Sequence, residues 1–393
     1  MYALKNANVY TIVRGYQENQ VVIIEEGKIK EIGENVEIPE NIPVYDMSGK
    51  YITPGFIDAH CHVGVYNEGT GEPGADGNEW CDPVTPHVKS ADGIYTDDEA
   101  FADALAHGVT ALCITPGSAN VVCGQMAVVK PKSNILEEMM ITDYVGLKCA
   151  FGENPKNVHG SQKKMPTTRM GVASVLRREL HNAFNYKTKK EFELAKPAEE
   201  GKEKQPFEKD FVKECYLPVL EKKIPLRAHA HRMDDIQTAV RIAEEFGLKI
   251  VIEHCTEGYK IADYLAKKGI PAVLGPYNGT KSKVELRHMS LEAPRIMEEA
   301  GVKFALMTDA PVQRIGSLFD DVRLFIRHGL SECAALKAVT EVPAELLGLS
   351  HRLGSVEAGK DADLNVFDGE PFDFRSKIET VIIEGKVHFG ELK

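Results

Sequence analysis

The chain has 393 residues with a formal net charge of −12, 43% hydrophobic residues and 27% charged residues. This length predicts one large domain with an appendage, or two domains, rather than one small core. Phosphate binding needs clustered Lys and Arg, and no basic stretch here is interleaved with aromatic residues, so we expect no nucleic-acid partner.

The N-terminus and the cysteines bear on cellular location. "MYALKNANVYTIVRG" lacks a basic segment followed by an apolar core, so it is not a secretory signal. No apolar run approaches the roughly 20 residues that span a bilayer, so we expect no membrane partner. The eight scattered cysteines form no CxxC pair and fit reduced thiols. These features predict a cytoplasmic protein.

Both ends of the chain have the texture of short β-strands. The first fifty residues contain β-branched runs separated by the turn signals "EEGK" and "SGK". "DADLNVFD" and "IETVIIEGKVHFG" repeat this texture at the C-terminus. The two ends therefore share an all-β character that the middle lacks.

From about residue 53 to 350, apolar strand-like runs alternate with helix-like segments such as "DDIQTAVRIAEEFG", which ends at Gly247. The candidate strands are 55–60, 109–115, 144–151, 224–230, 249–255, 272–276 and 303–309. This alternation predicts a parallel sheet in an α/β fold. A closed (β/α)8 TIM barrel is favoured over a doubly wound sheet, because no GxGxxG fingerprint follows an early strand.

Three segments interrupt the rhythm. Residues 114–130 should form a loop near the barrel mouth. In this loop the sequence favours neither contact of Asn120 and Gln125 with substrate nor the absence of such contact. The long stretch 64–96 contains Trp80 and is either a lid or a packing anchor. Residues 187–213 are dense in Lys and Glu, which predicts a solvated excursion outside the barrel.

Several candidate strands end in imidazole or carboxylate groups. These residues are His60, His62, His229, His231, His254 and Asp309. Each has an ordinary explanation alone; Asp309 before Ala310 and Pro311 could be a helix N-cap. Together they predict a metal site, because parallel barrel strands present their C-terminal ends on one face. Such ligands suit zinc, and also nickel, iron or manganese.

With these motifs the chain resembles the amidohydrolase superfamily, and within it the imidazolonepropionase-related and prolidase-like members. The motifs are "PGFIDAHCH", "RAHAHR", "IEHC", "MTDAP" and the tail "TEVPAELLGLSHRLGSVEAGKDADLNVFDGEP". The resemblance implies a (β/α)8 barrel over 54–352. It also implies a small composite β-sandwich domain formed by 1–53 and 353–393.

The resemblance also implies a ligand set for one or two divalent ions, with zinc expected. His60 and His62 would hold the more buried ion with Asp309 beside them, and His229 and His254 would hold a second ion. A bridging ligand on the fourth strand would be a carboxylated Lys148, with Glu153 as the alternative.

Other residues near these motifs are candidates for substrate contact. Several deaminases of the superfamily carry an acid just after the fifth-strand histidine, where this chain has His231. His231 therefore either faces the substrate or bonds within its loop. Arg232, Lys281 and Lys283 are candidates to meet a substrate carboxylate, or are surface cations. Cys61 and Cys255 flank ligands and are expected to be packing residues.

The expected chemistry is hydrolysis of a C–N bond in a small cyclic amide, imide or dipeptide-like molecule. Asp309 would act as general base, and His254 or His231 would help to stabilise the oxyanion. A deaminase of an aminated heterocycle is the alternative enzyme, and a catalytically silent scaffold related to dihydropyrimidinases is the non-enzymatic one. The resemblance further implies a homo-oligomer.

Overall fold

A computed structural model describes residues 1–197 and 205–392, and within them sixteen strands form two sheets. The strands are β1 Tyr2–Tyr10, β2 Tyr16–Glu25, β3 Lys28–Gly33, β4 Val44–Asp46, β5 Tyr51–Pro54, β6 Phe56–Cys61, β7 Val109–Ile114, β8 Val122–Val129, β9 Met140–Ala150, β10 Leu226–Ala230, β11 Ile250–His254, β12 Ala272–Leu274, β13 Phe304–Leu306, β14 Leu364–Phe367, β15 Ile378–Ile383 and β16 Lys386–Gly390.

Helices connect and cover the strands of the central sheet. The α-helices are α1 Ser90–Gly93, α2 Glu99–Ala106, α3 Leu136–Met139, α4 Glu153–Ser161, α5 Arg169–Ala195, α6 Phe211–Glu214, α7 Leu217–Leu220, α8 Met233–Phe246, α9 Ala262–Lys268, α10 Ala293–Glu299, α11 Leu318–Arg327, α12 Glu332–Lys337 and α13 Glu341–Leu346. Helix α8 ends at Gly247, as its sequence predicts, with the glycine in the left-handed conformation. Among the described residues, no helix combines the length and apolarity needed to cross a membrane.

The central sheet runs in chain order from β6 to β13, and most neighbouring strands are parallel. Strand β8 is the exception, because it is antiparallel to both β7 and β9. The prediction of a loop over 114–130 is therefore wrong for Val122–Val129, which is a fully buried strand. The short link between β7 and β8 leaves no room for a crossover helix, so the chain must turn back on itself.

The two edges of the central sheet, β6 and the end of β13, meet and nearly close a barrel. Asp58 on β6 accepts hydrogen bonds from the backbone N (3.1 Å) and Oγ1 (2.6 Å) of Thr308. Beyond it, the N–H of Asp309 donates to the carbonyl of His60 (3.2 Å), and that of His62 donates to Ala310 (2.8 Å). These contacts confirm an α/β fold with a TIM-barrel-like sheet.

Strands from both chain ends form the second sheet, in the order β16-β15-β14-β5-β1-β2-β3, with β4 beside β1. One face carries its own buried apolar cluster, which includes Leu4, Ile52 and Leu364. The chain passes to the barrel at Gly55, where a Cβ atom would lie 2.0 Å from Thr110 Oγ1. The predicted joining of the two termini is thus present, whereas their folding as a separate β-sandwich domain stays a prediction.

Helix α5 carries the start of the Lys- and Glu-rich segment 187–213. Its last two turns are mostly exposed, in agreement with a solvated excursion. After Pro197 the next described residue is Gln205, and α6 follows at Phe211–Glu214. Residues 198–204 of the predicted excursion lie outside the described residues.

The contact between Asp58 and Thr308 predicts the effect of one substitution on stability. Thr308→Val keeps the shape of the side chain but removes a hydroxyl donor from a fully buried carboxylate. We expect the free energy of unfolding, measured by denaturant titration, to fall by about 1–3 kcal/mol. Thr188→Val on the exposed side of α5 is the control and should change it by less than about 0.5 kcal/mol. Equal effects of the two substitutions would contradict this assignment.

Candidate functional site

The polar residues predicted from the strand ends meet at one mouth of the barrel. His60 lies near the end of β6 and His62 just after it, while β10 and β11 bring His229 and His254. His254 and Asp309 both adopt left-handed backbone conformations, with φ of 64° and 54°. Such conformations are unfavourable for residues with a Cβ atom and are concentrated at functional sites.

Asp309 lies directly against His60 and His62, the two histidines at the end of β6. Its Oδ1 is 3.1 Å from His62 Nε2 and 3.3 Å from His60 Nε2. Burial opposes ionisation of Asp309, but the nearby rings of His254, His60 and His62 outweigh it and hold the pKa well below its usual range. Asp309 is therefore a carboxylate at neutral pH, as a ligand or a base requires.

Two overlapping trios of side chains have the spacing of metal ligands. Within each trio, one potential ligand atom per residue lies within 4.8 Å of the others. The trios are His60, His254 and Asp309, and His229, His231 and His254. Two ring nitrogens, Nδ1 of His229 and Nε2 of His231, are buried without a hydrogen-bond partner among the described residues. Unpartnered imidazole nitrogens beside a carboxylate fit a divalent cation.

Hydrogen bonds to the other ring nitrogens orient these imidazoles. Nδ1 of His62 donates to the carbonyl of Thr115 (2.8 Å), and Nδ1 of His254 donates to that of Gly275 (3.0 Å). His231 Nδ1 shares a 2.8 Å hydrogen bond with Thr256 Oγ1. Burial lowers the pKa of His62 and lowers that of His254 to about 3, so these rings are neutral and able to bind a metal.

Lys148 is on β9 and points into the same interior. Its Nζ lies 3.0 Å from His60 Nε2 and 3.2 Å from Thr115 Oγ1. Complete burial lowers the pKa of its amine. Glu153, the alternative bridging residue, belongs to neither trio. Of the two candidates, Lys148 is the one the structure places against a predicted ligand.

A cavity of about 480 Å³ opens above the ligand cluster. Of the three predicted substrate-binding cations, Lys283 lines it and donates to Asn154 Oδ1 (3.2 Å). Arg232 is not among the lining residues and makes two hydrogen bonds to the Asp234 carboxylate. Lys281 is exposed and donates to the carbonyl of Arg287. The structure therefore places one of these three cations where a substrate could reach it.

Residues of the long segment 64–96 form part of the cavity wall. Tyr66 and Asn78 line the cavity, whereas the side chain of Trp80 is 54% exposed, which does not fit a packing anchor. Asn120 and Gln125 are not lining residues. Asn120 donates to Thr85 Oγ1 (2.9 Å), and Gln125 donates to the carbonyl of Pro86 (3.1 Å). Both amides thus fix this segment to the barrel.

Two buried charges beneath the ligand cluster were missed at the level of sequence. Glu253 Oε2 lies 2.8 Å from His60 Nδ1, and Arg227 pairs with the same carboxylate. Arg227 is the first residue of the "RAHAHR" motif and Glu253 the second of "IEHC", and that position was the one available signal. Cys61 and Cys255 are buried and belong to neither trio, in agreement with packing roles.

Comparison with known proteins gives the family. A model of the amidohydrolase family matches residues 51–388, and one of the NagA composite domain matches residues 1–52. Amidohydrolase tasK of Hapsidospora irregularis is 28% identical over 94% of this chain, which spans 40% of that protein. An imidazolonepropionase of Brucella anthropi is 24% identical over 94% of this chain and 93% of its own. The crystal structure of an amidohydrolase from Thermotoga maritima is 46% identical over the whole of both chains, with a TM-score of 0.94.

The family model covers most of the chain, and the protein belongs to the amidohydrolase family. The predicted resemblance, with imidazolonepropionases among the relatives, is confirmed. The prediction of an enzyme that hydrolyses carbon–nitrogen bonds is confirmed at the level of this class.

The carboxyl group of Asp321, next to one wall of the cavity, should make the stability of the protein depend on pH. Gln313 lines the cavity and donates to Asp321 Oδ2 (2.7 Å) on α11. Burial raises the pKa of Asp321 to about 7. In the unfolded chain this carboxyl ionises near pH 4, so the folded state holds the extra proton between about pH 4 and pH 7 and loses stability as pH rises through that window.

Asp321→Asn keeps an acceptor for Gln313 but cannot ionise. We therefore expect the melting temperature of the variant, relative to the wild-type protein, to rise steadily as pH increases from about 4 to 7. Calorimetric scans at a series of pH values measure this difference. A difference that stayed constant across the series would contradict the assignment.

Proposed function

We propose that this protein is a metal-dependent amidohydrolase that cleaves an amide, imide or dipeptide-like C–N bond in a small molecule. One observation carries the proposal: the two overlapping trios at the barrel mouth contain a carboxylate and neutral imidazoles, and they border a cavity large enough for a small substrate. The imidazolonepropionase relatives support a cyclic amide or imide as one substrate class.

The chain offers ligands for one or two divalent ions, and zinc suits them best. His60, His62 and Asp309 would hold the inner ion, and His229 and His254 would hold the outer one. His231 is a further candidate, because its free Nε2 completes the outer trio. A carboxylated Lys148 would bridge the two, since burial lowers the pKa of this amine and so favours the neutral form that reacts with CO2.

The mechanism assigns separate roles to the residues around the cavity. A bound divalent ion would supply an activated water and polarise the scissile carbonyl. Asp309 accepts the proton of the attacking water and returns it to the leaving nitrogen. His231 lines the cavity and, where it is not a ligand, would help to stabilise the negative charge on the carbonyl oxygen through a proton on Nε2. His254 donates its ring proton to the carbonyl of Gly275, so it would act as a ligand rather than as a donor to the substrate.

Lys283 supports a substrate that carries a carboxylate. Its ammonium group faces the cavity, and no carboxylate of the described residues lies within 4 Å of it. Burial lowers the pKa of Lys283, so a bound anion would favour its charged form. A negatively charged group at that position would pair with Lys283 while the scissile bond lies over the ligand cluster.

The alternative functions fit less well. Among the described residues that line the cavity, Asp309 is the one carboxylate, so the second acid typical of related deaminases has no counterpart there. A silent scaffold would need neither the two ligand trios nor the strained backbone conformations of His254 and Asp309. Further parts of the proposal are a reducing cytoplasmic location, a homo-oligomer, and separate domains at 1–53 with 353–393 and at 54–352.

The test of the proposed function joins metal analysis to a substrate screen. We expect elemental analysis to find one or two zinc ions per chain, and we expect turnover of one class among dipeptides, N-acyl amino acids, hydantoins and imidazolones. Chelation should abolish turnover, and added Zn²⁺ should restore it. Release of ammonia with amides and imides left intact would establish the deaminase instead, and a folded protein without bound metal would support the scaffold.

Two substitutions test the roles of ligands within that screen. His60→Ala removes an inner ligand and should lower the bound metal as well as abolish turnover. Asp309→Asn keeps the size of the side chain but removes the base, so kcat should fall by at least about 100-fold. Near-normal rates in Asp309→Asn would contradict the role in proton transfer.

Lys283→Met tests the carboxylate anchor. Loss of a charge-assisted hydrogen bond of about 1.5–3 kcal/mol should raise KM for the carboxylate substrate about 10- to 150-fold. Lys260→Met is the matched control, because Lys260 pairs with Glu257 and is not a lining residue. The amide derivative of the same substrate should be insensitive to Lys283→Met. If the wild-type protein and Lys283→Met had the same KM for the carboxylate substrate, the substrate anion would bind elsewhere.

A further inference from the structure

A buried ion pair lies inside the barrel beneath the ligand cluster. The side chains of Arg227 on β10 and Glu253 on β11 are both fully buried and in direct contact. Arg227 also donates through Nη2 to the carbonyl of Ala59 (3.0 Å), on the strand that carries His60. The second carboxylate oxygen of Glu253 lies 2.8 Å from His60 Nδ1. The pair thus connects β10 and β11 to β6, and through Glu253 it contacts the predicted ligand His60.

The barrel is shaped to accommodate this pair. Residue 146, beside Arg227 on the neighbouring strand β9, is glycine, and a Cβ atom there would lie 2.6 Å from Arg227 Cγ. Taking two charges into a protein interior costs several kcal/mol per ion, and apolar side chains normally fill a barrel core. A costly pair in a space made by a glycine indicates a role beyond stability.

The contact with Glu253 determines which nitrogen of His60 carries the proton. A carboxylate only accepts hydrogen bonds, so Nδ1 carries a proton, and Nε2 is the nitrogen through which His60 would bind a metal. That Nε2 faces Lys148 Nζ (3.0 Å) and Asp309 Oδ1 (3.3 Å), on the side of the predicted metal. His62 and His254 are oriented by neutral carbonyl groups instead. Among these three imidazoles, His60 is the one whose Nδ1 contacts a carboxylate.

We propose that the Arg227–Glu253 pair is the positioning device of the site: Glu253 fixes the ring and tautomer of His60, and Arg227 keeps Glu253 in place as a carboxylate. This inference rests on the proposed function, since it takes His60 as a metal ligand. A carboxylate behind an imidazole raises its basicity and strengthens its bond to a metal. Neither residue reaches the cavity, so both act through His60.

The test measures metal affinity without substrate. Glu253→Gln should weaken Zn²⁺ binding about 10- to 100-fold, as determined by competition between the protein and a chromophoric chelator. The double variant Arg227→Met/Glu253→Gln removes the unpaired charge and should recover stability but not affinity. Asp363→Asn is the matched control, because it neutralises another buried carboxylate, paired with Lys130 (2.8 Å) away from the cavity. It should lower the melting temperature and leave Zn²⁺ affinity unchanged.

A spectroscopic measurement on the wild-type protein tests the orientation of His60 without any change to the Arg227–Glu253 pair. Long-range proton–nitrogen correlation of the imidazole rings, assigned with His60→Gln, should place the His60 proton on Nδ1. A proton on Nε2, or a double variant with wild-type Zn²⁺ affinity, would overturn the proposal. A wild-type protein that binds no Zn²⁺ would overturn the proposed function instead, and the position of the ring proton would still decide how His60 is held.

Discussion

The contact between Asp58 and Thr308 is the constraint on which the site depends. The buried carboxylate of Asp58 receives the N–H and the hydroxyl of Thr308 and also the backbone N–H of His60 (3.0 Å). It therefore joins the first strand of the barrel to the residues that follow the last strand, and it fixes the backbone on both sides of the join. Because Asp309 comes directly after Thr308, closing the barrel brings its carboxylate to His60 and His62 at the end of β6. One interaction thus serves both the fold and the ligand cluster.

Burial has opposite energetic effects in different layers of this barrel. It keeps the imidazoles of His62, His229, His231 and His254 neutral and lowers the pKa of Lys148, which favours metal ligands over cations. Deeper in the barrel, Arg227 and Glu253 stay charged because each compensates the other, with the pKa of Arg227 raised and that of Glu253 lowered. The two charges cost stability, but they lie behind His60 and away from solvent, where they can orient its ring.

The antiparallel strand β8 explains how the cavity obtains its wall. Turning back after β7 places Asn120 and Gln125 where their amides bond to the segment 64–96, instead of leaving them free at the barrel mouth. That segment then contributes Tyr66 and Asn78 to the cavity. The polar side chains that resemble substrate contacts in the sequence therefore support the wall, and the residues that form it come from a stretch without a regular pattern.

Local patterns were sufficient for the barrel class and for the strand-terminal residues from His60 to Asp309, because strand periodicity and strand ends are determined within a few residues. The joining of the chain ends followed from the resemblance to a known family. Strand β8 was predicted as part of a loop, and its direction was not readable either, since a buried run looks the same parallel or antiparallel. Nor were the Arg227–Glu253 pair and the separation of Lys283 from Lys281 and Arg232. These depend on which side chains share the barrel interior or reach the cavity. The neighbours of these side chains are distant in the chain. Only tertiary packing fixes how near a charged group lies to the cavity and how deeply it is buried, and these two properties determine its role.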